Sequence, residues 1–205
     1  MALYLVGETL DRAKAHYRAK AGQLLQLMRG IYVDADDNPD ELVRRHAVRI
    51  ARYLYPNAYL SAASAVLLGP TSDGRLYLSG RRNRRTRLRS LEIVQNEAPP
   101  HPSVGQAVVD DGRGELHVPV SSIRQRFLEA FRLRSEHAAS IDVNMRAALA
   151  SRLVEEYRSP RGAADAIWAL ARENQWYREG EATERYLLQQ PAAATTFERL
   201  RPMRD

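Results

Sequence analysis

Apolar positions that recur every three or four residues predict a chain rich in helices. In Glu41–Tyr55 the apolar residues follow a 3.6-residue period and the arginines take the opposite face. Asn38 is a suitable N-cap for this helix, and Pro56 ends it. The predicted helices are Leu10–Met28 in one or two pieces, Glu41–Tyr55, Ser61–Leu68, a segment that starts at the capping box Ser122–Gln125 with Phe127, Leu128, Phe131 and Leu133 as its core stripe, Val143–Tyr157, Arg161–Glu173 and Glu181–Gln189.

In the first two thirds of the chain, short runs of β-branched and aromatic residues predict strands between the helices. These strands are Ile31–Val33, Gly74–Leu78, Leu91–Val94, Gln106–Val109 and Glu115–Val120. The last two flank Asp110-Asp-Gly-Arg-Gly114, a strong signal for a hairpin turn. We therefore expect an α+β fold in which a small antiparallel sheet precedes a helical C-terminal part.

The charge distribution changes this picture more than the total charge does. The chain carries 31 Lys+Arg and 25 Asp+Glu residues, a net charge of +6. Seven arginines and no acidic residue lie between positions 75 and 89, so the rest of the chain has a net charge near zero. Pairing of Arg75–Ser79 with Leu88–Val94 would place most of these arginines at the tip of a β-hairpin. The candidate binding residues are Arg75, Arg81, Arg82, Arg84, Arg85, Arg87 and Arg89.

Three interpretations of this arginine cluster stay open. A nucleic-acid backbone is one partner, because each neutralised phosphate releases condensed counterions. An acidic surface on another protein is a second. The third is a solvated loop without a dedicated partner, although a like-charged run of this density repels itself.

Composition and motifs exclude several classes of function. The sequence has no cysteine, which excludes disulfides, thiol nucleophiles and cysteine-bound metals. It also lacks G-x-S-x-G, P-loop, G-x-G-x-x-G, H-E-x-x-H and S-x-x-K motifs, and its five histidines are scattered. Asp34-x-Asp36-x-Asn38 imitates a calcium loop, but Pro39 replaces the required glycine. We predict no catalytic residue, no metal site and no cofactor, and therefore no enzyme.

Two further predictions concern aromatic residues and location. We expect core packing rather than base stacking for Tyr53, Tyr55, Tyr59, Trp168, Trp176 and Tyr177, because stacking on bases requires exposed rings. The N-terminus lacks the basic and apolar regions of a signal peptide, and no apolar run approaches the roughly 18 residues of a membrane span. We expect a soluble, cytoplasmic protein without a membrane partner.

Two stretches, Leu27–Val33 and Tyr55–Gly69, resemble the AbiEi-type family of antitoxins and transcriptional regulators over about residues 10–95. In that family an Arg-Gly-hydrophobic-Tyr strand closes a winged helix-turn-helix, and a Pro-Ser-Ser-Ala-Leu-Gly pattern opens the next domain. The matching residues here are Arg29, Gly30, Tyr32, Pro56, Ser61, Ser64, Ala65, Leu67 and Gly69. Only 33 residues precede the end of this strand, so the resemblance implies a reduced helix pair, Glu8–Tyr17 and Lys20–Met28, with Lys14, Arg18 and Lys20 as further DNA contacts.

The longer pattern is similar to the N-terminal region of larger bacterial proteins in which an AbiEi-like module precedes a HipA-type toxin kinase, some of them labelled Fic. The resemblance implies a non-catalytic, antitoxin-like regulator of a toxin–antitoxin or phage-defence system, with DNA and a toxin protein as partners. The alternative is an interaction module that docks on a HipA-type kinase without binding DNA. We divide the chain into a reduced winged-helix-like segment (1–37), an α+β middle domain with the basic hairpin (38–120), a helical C-terminal part (121–190) and a tail or linker (191–205).

Overall fold

The computed structural model describes residues 2–189, which form an α+β fold with a helical C-terminal part, as predicted. The N-terminal elements are β1 (Leu3–Leu5), α1 (Arg12–Lys20), β2 (Leu24–Met28), β3 (Ile31–Asp34), α2 (Pro39–Arg45) and α3 (Ala47–Leu54). The central elements are β4 (Tyr59–Leu60), α4 (Ala62–Leu67), β5 (Arg75–Gly80), β6 (Arg84–Leu88), β7 (Leu91–Glu97), β8 (Val104–Asp110) and β9 (Glu115–Ser121). The C-terminal helices are α5 (Ile123–Glu129), α6 (Glu136–Ser140), α7 (Val143–Tyr157), α8 (Pro160–Glu173) and α9 (Tyr177–Gln189).

The strands form two sheets. The small N-terminal sheet is antiparallel, with the order β1-β3-β2. The second sheet has six strands in the order β6-β7-β5-β4-β9-β8 and is mixed, because β5 pairs with β7 and β4 pairs with β9 in parallel. The predicted hairpin around residues 110–114 is present as β8–β9.

The six-stranded sheet has one hydrophobic core on each face. Successive residues of a strand point to opposite faces, so Leu76 and Tyr77 of β5 enter different cores, as do Ile93 and Val94 of β7. The first core lies between the six-stranded sheet and α2, α3 and the small sheet. The second core lies between the six-stranded sheet and the C-terminal helices. Buried residues of the first core include Leu42, Ile50 and Val118, and those of the second include Phe127, Leu153 and Ile167.

The predicted N-terminal helix pair is wrong in its second half. Only Arg12–Lys20 is helical, and Leu24–Met28 forms β2 instead. Gly22, which has a φ of +74°, prevents the helix from continuing beyond this point. Pairing of residues 24–28 with β3 then outweighs the helical propensity of leucine, glutamine and methionine. Among the described N-terminal residues there is thus one helix between two strands.

Other boundaries differ in smaller ways. The predicted helix Glu41–Tyr55 is divided at His46 into α2 and α3, although Asn38 caps it as expected. Leu133 was predicted to lie in the core but is 80% exposed, because α5 ends at Glu129 and Leu133 falls in the following loop. The predicted tail or linker at 191–205 lies outside the described residues. None of the described helices combines the length and apolar composition that crossing a bilayer requires.

A buried ionic cluster attaches the β8–β9 turn to the helices before it. Arg49 donates two hydrogen bonds to Asp111, from Nε at 2.6 Å and from Nη2 at 2.9 Å. His46 Nδ1 donates a third at 2.9 Å, and both His46 and Asp111 are buried. Burial by itself would raise the pKa of Asp111, but the hydrogen bonds from Arg49 and His46 outweigh it and hold this pKa well below 3.8.

Replacing Asp111 with asparagine is expected to lower the free energy of unfolding by about 3 kcal/mol near neutral pH. The amide keeps the shape of the side chain but leaves the Arg49 guanidinium without its anion. Urea unfolding followed by circular dichroism measures this loss. A change below about 0.5 kcal/mol, typical of surface substitutions, would contradict the structural role assigned to Asp111.

The same cluster predicts acid sensitivity of a known sign. Because the folded-state pKa of Asp111 lies below the unfolded value, its stabilisation is fully present above pH 3.8 and is lost as the pH falls toward the folded-state pKa. Between about pH 5 and pH 2.5 the unfolding free energy of the wild type should therefore fall further than that of Asp111→Asn. Parallel curves for the two proteins would contradict this.

Candidate functional site

The arginine-rich hairpin is formed by β6 and β7, and its arginines are distributed differently from the prediction. Arg75–Ser79 and Leu91–Val94 do pair, but in parallel, so they cannot be the two arms of one hairpin. The chain leaves β5, crosses to the outer edge as β6 and returns between the two as β7. Arg89 alone lies in the tight turn, while the other members lie on β5 (Arg75), in the crossover (Arg81, Arg82) and along the edge strand (Arg84, Arg85, Arg87).

Glu92 forms ion pairs with three of these arginines. In the sheet register, Arg75 of β5 and Arg87 of β6 both lie beside Glu92 of β7 on the same face. Arg87 Nε donates to Glu92 Oε1 at 2.9 Å, and Arg85 Nη1 lies 3.3 Å from the same oxygen. Arg75 Nε lies 3.4 Å from Glu92 Oε2. The hydrogen bond from Arg87 is the main reason that the pKa of Glu92 is lowered from 4.5.

Two further carboxylates complete this network. Glu136, at the start of α6, accepts a hydrogen bond from Arg85 Nη2 at 2.6 Å and lies 3.5 Å from Arg75 Nη1. Asp73 pairs with Arg75 at 3.4 Å. Three arginines thus face three carboxylates, and this part of the cluster has no net charge to offer a partner. We call these six residues the neutralised network.

Arg81, Arg82 and Arg84 form a second group, which lies on the side of the first core. All three are exposed, and no carboxylate within residues 2–189 forms an ion pair with them. The Arg84 guanidinium lies 6.0 Å from the centre of the Tyr55 ring. Together with Pro56, Asn57 and Gln95 they line an open cleft of about 220 Å³. We call Arg81, Arg82 and Arg84 the free arginines.

Side chain–backbone hydrogen bonds fix the crossover that carries Arg81 and Arg82. Gln95 Nε2 donates to the carbonyl oxygen of Arg82 at 2.7 Å, and Asn83 Oδ1 accepts from the Glu97 amide at 2.8 Å. A Cβ at Gly80 would lie 2.7 Å from Gln95 Nε2, so a larger residue there would displace the Gln95 side chain from this contact. The crossover is therefore held at Arg82 and Asn83, while the side chains of Arg81 and Arg82 are exposed to solvent.

The other residues that were predicted to contact DNA or an acidic partner lie away from this cleft. Arg89 is exposed in the β6–β7 turn, at the far end of β6 from the cleft, with a φ of +55°. Lys14 and Lys20 are exposed on α1, but Arg18 is engaged with Asp34 at 3.4 Å and with the Tyr4 ring at 5.1 Å. The structure thus brings together three of the ten predicted contact residues as unpaired cations around one cleft.

The aromatic residues mainly serve packing, as expected. Tyr55 and Tyr59 are buried, while Tyr53, Trp168 and Trp176 are partly buried against the two cores. Tyr177 departs from the prediction, since it is 54% exposed at the start of α9. No stacked array of exposed rings accompanies the free arginines in the described part of the chain.

Two buried titratable groups lie outside the cleft. Burial lowers the pKa of His137 to about 4, and its neutral ring donates from Nε2 to the Leu78 carbonyl and accepts from Asn96 at Nδ1. Burial raises the pKa of Glu129 to about 7. Within residues 2–189 no group of three or more potential ligands is arranged to hold a metal ion.

Sequence reasoning missed the carboxylates of the neutralised network. Glu92 lies just outside the acid-free window, yet a two-residue turn at Arg89–Ser90 places position 87 directly opposite position 92. That register could have been derived from the hairpin pattern. Glu136 had no comparable signal, because it is 51 residues from Arg85 and reaches it only through the packing of α6 on the sheet.

Comparison with known proteins adds no identification. No protein-family model matches this sequence, and no curated protein matches it.

Glu92→Gln is expected to lower the free energy of unfolding by about 1–2 kcal/mol, because three guanidinium groups then lose their shared carboxylate. The Glu92 side chain is only 12% exposed, so water replaces the lost interaction poorly. Urea unfolding measures the difference. The matched control is Glu97→Gln at the exposed end of the same strand, for which we expect less than about 0.5 kcal/mol. Equal effects for the two variants would contradict the assigned role of Glu92.

Proposed function

We propose that this protein is a non-catalytic nucleic-acid-binding protein that holds the phosphate backbone of DNA with Arg81, Arg82 and Arg84, assisted by Arg89. The observation that carries the proposal is the division of the arginine cluster. Three of its members are neutralised within the chain, while these four are exposed and have no acidic partner in the described residues. Four unpaired cations on one strand and its two flanking turns form a site for several phosphates.

The chemistry of the free arginines suits phosphate. A guanidinium group is planar, stays charged and presents forked N–H donors that match phosphate oxygens. Gln95 and Asn83 hold the backbone of the crossover, so less conformational entropy is lost when a phosphate binds. The Asn57 amide, which also lines the cleft, supplies a neutral hydrogen-bonding group.

The proposed mode of binding is contact with the backbone rather than the bases. A recognition helix reads base edges in the major groove. The predicted second N-terminal helix is instead β2, and we assign no other described helix to that task. Phosphate contacts set affinity and register but carry no direct sequence information. We therefore expect affinity to depend on salt and on nucleic-acid length more than on sequence.

The regulatory part of the proposal rests on the resemblance to AbiEi-type antitoxins. In this view the protein acts in a toxin–antitoxin or phage-defence system, with a toxin such as a HipA-type kinase as its protein partner. A second candidate is docking on an acidic protein surface without DNA. It is favoured by the chemistry of the same strand, where Arg85 and Arg87 bind carboxylates, as the free arginines would bind those of a partner.

The DNA-binding proposal is tested by fluorescence anisotropy with a labelled duplex at several salt concentrations. The triple variant Arg81→Ala, Arg82→Ala, Arg84→Ala is expected to bind at least tenfold more weakly. The slope of log K against log salt should become shallower by about 2 to 3, since each phosphate contact contributes roughly 0.9. Two duplexes of equal length and different sequence should be affected alike.

The matched control removes three arginines from the C-terminal helices. Arg152→Ala, Arg178→Ala and Arg185→Ala lie at exposed positions and change the net charge by the same amount. This control should retain most of the affinity and the salt slope. Equal losses for the two triple variants would show a general charge effect and overturn the proposed site. Absence of binding by the wild type at low salt would overturn the DNA proposal and favour the acidic protein partner.

A further inference from the structure

The outer strand β8 leaves a row of backbone groups unpaired. Within residues 2–189 no strand lies beyond it in the sheet. The Ser122 amide donates to the Ser103 carbonyl at 2.8 Å, which sets the alternation of the β8–β9 ladder: residues 103, 105, 107 and 109 exchange hydrogen bonds with β9. The N–H and C=O groups of Val104, Gln106, Val108 and Asp110 therefore point away from β9. Pro119 fits this alternation, since it lies opposite Gln106 and has no N–H to donate.

The two edges of the sheet differ in their protection against further pairing. The β6 edge carries Arg84, Arg85 and Arg87, and charged side chains on an outer strand oppose the approach of a second strand. The β8 edge has no lysine, arginine or proline, and its one charge, Asp110, stands at the end of the strand. Val104 and Val108 are 41% and 46% exposed. An exposed seven-residue edge whose single charge lies at its end is a template for another strand.

We propose that β8 pairs antiparallel with β8 of a second copy of this chain, about a two-fold axis at Ala107. In this register Gln106 lies opposite Val108 of the second copy, and Val104 lies opposite Asp110 of the second copy. Each residue whose backbone N–H and C=O groups point away from β9 then lies opposite another such residue of the second copy. This pairing allows about eight backbone hydrogen bonds. The two six-stranded sheets join into one continuous sheet.

Small side chains at the axis and the wide separation of the two like charges favour a second copy as the occupant. The axis brings Ala107 beside Ala107 and Gly105 beside Val109, so no bulky side chains collide. The two Asp110 carboxylates lie at opposite ends of the ladder, about 20 Å apart, and do not repel each other strongly. A single strand pair is a small interface, for which we expect a dissociation constant in the micromolar range.

The register is tested with a single engineered cysteine, because the chain contains none of its own. Ala107 faces its own copy in a pair without hydrogen bonds, where Cα atoms lie about 4.5 Å apart and a disulfide can form. Ala107→Cys should therefore give a covalent dimer under mild oxidation. Val109→Cys is the matched control, equally half-buried on the same face but about 14 Å from its counterpart. It should stay monomeric on a non-reducing gel.

Sedimentation velocity tests the association itself. The wild type should shift from 23.2 kDa toward twice this mass as its concentration rises to about 200 µM. The variant Gln106→Lys, Val108→Lys should remain monomeric, since it sets lysine opposite lysine, and so should Gln106→Glu, Val108→Glu. An equimolar mixture of the two should dimerise again. This recovery also shows that both variants are folded.

Three results would overturn the proposal. A wild type that stays at 23.2 kDa over this range would exclude the dimer. A dimer that persists in the lysine variant would place the interface elsewhere. Equal cross-linking of Ala107→Cys and Val109→Cys would exclude the register centred on Ala107.

Discussion

The parallel pairing of β5 with β7 is the constraint on which the rest of the structure depends. Both strands are buried on both faces, so each supplies side chains alternately to two separate cores. The helices before the sheet cover one face and the helices after it cover the other. Because β7 returns between β5 and β6, the intervening segment is forced to the outside. The arginines are therefore exposed as a consequence of the same topology that builds the cores.

The pleat of β6 then separates these arginines into two chemical groups. Alternate residues point to opposite faces, and the two faces offer different surroundings. On the side of the C-terminal helices, Glu92 and Glu136 meet Arg85 and neutralise it together with its neighbours. On the other side Arg84 lies near the ring of Tyr55 and meets no carboxylate. The arginine cluster looks uniform in the sequence, but some of its members form ion pairs within the fold and the others are available to a partner.

The contrast between the two sheet edges follows from the same reasoning. At β6, arginine side chains keep other strands away and leave charge for an anionic partner. At β8, where Asp110 at the end of the strand is the one charged residue, the backbone hydrogen-bonding groups are accessible to another strand. One sheet therefore carries an electrostatic surface at one edge and a strand-pairing surface at the other. The two surfaces are formed by different residues.

Local signals in the sequence determined the features that depend on neighbours along the chain. The cap at Asn38, the capping serine at Ser122, the helix Val143–Tyr157 and the β8–β9 hairpin all follow from contacts within a few residues. The position of the arginine cluster and the α+β class could also be predicted. Charge and hydrophobic period are properties of the sequence itself, so no tertiary contact was needed to find them.

Tertiary structure alone decided the features that need distant partners. Residues 24–28 became a strand because β3 was available to pair with them, against their helical propensity. Arg75–Ser79 paired with Leu91–Val94 in parallel because the chain reverses its direction twice between them, before and after β6. Asp111, in a segment predicted as a turn, became the buried anion for Arg49, 62 residues away. Carboxylates from another strand and from a helix likewise decided which arginines remain free. No local sequence pattern predicts these contacts.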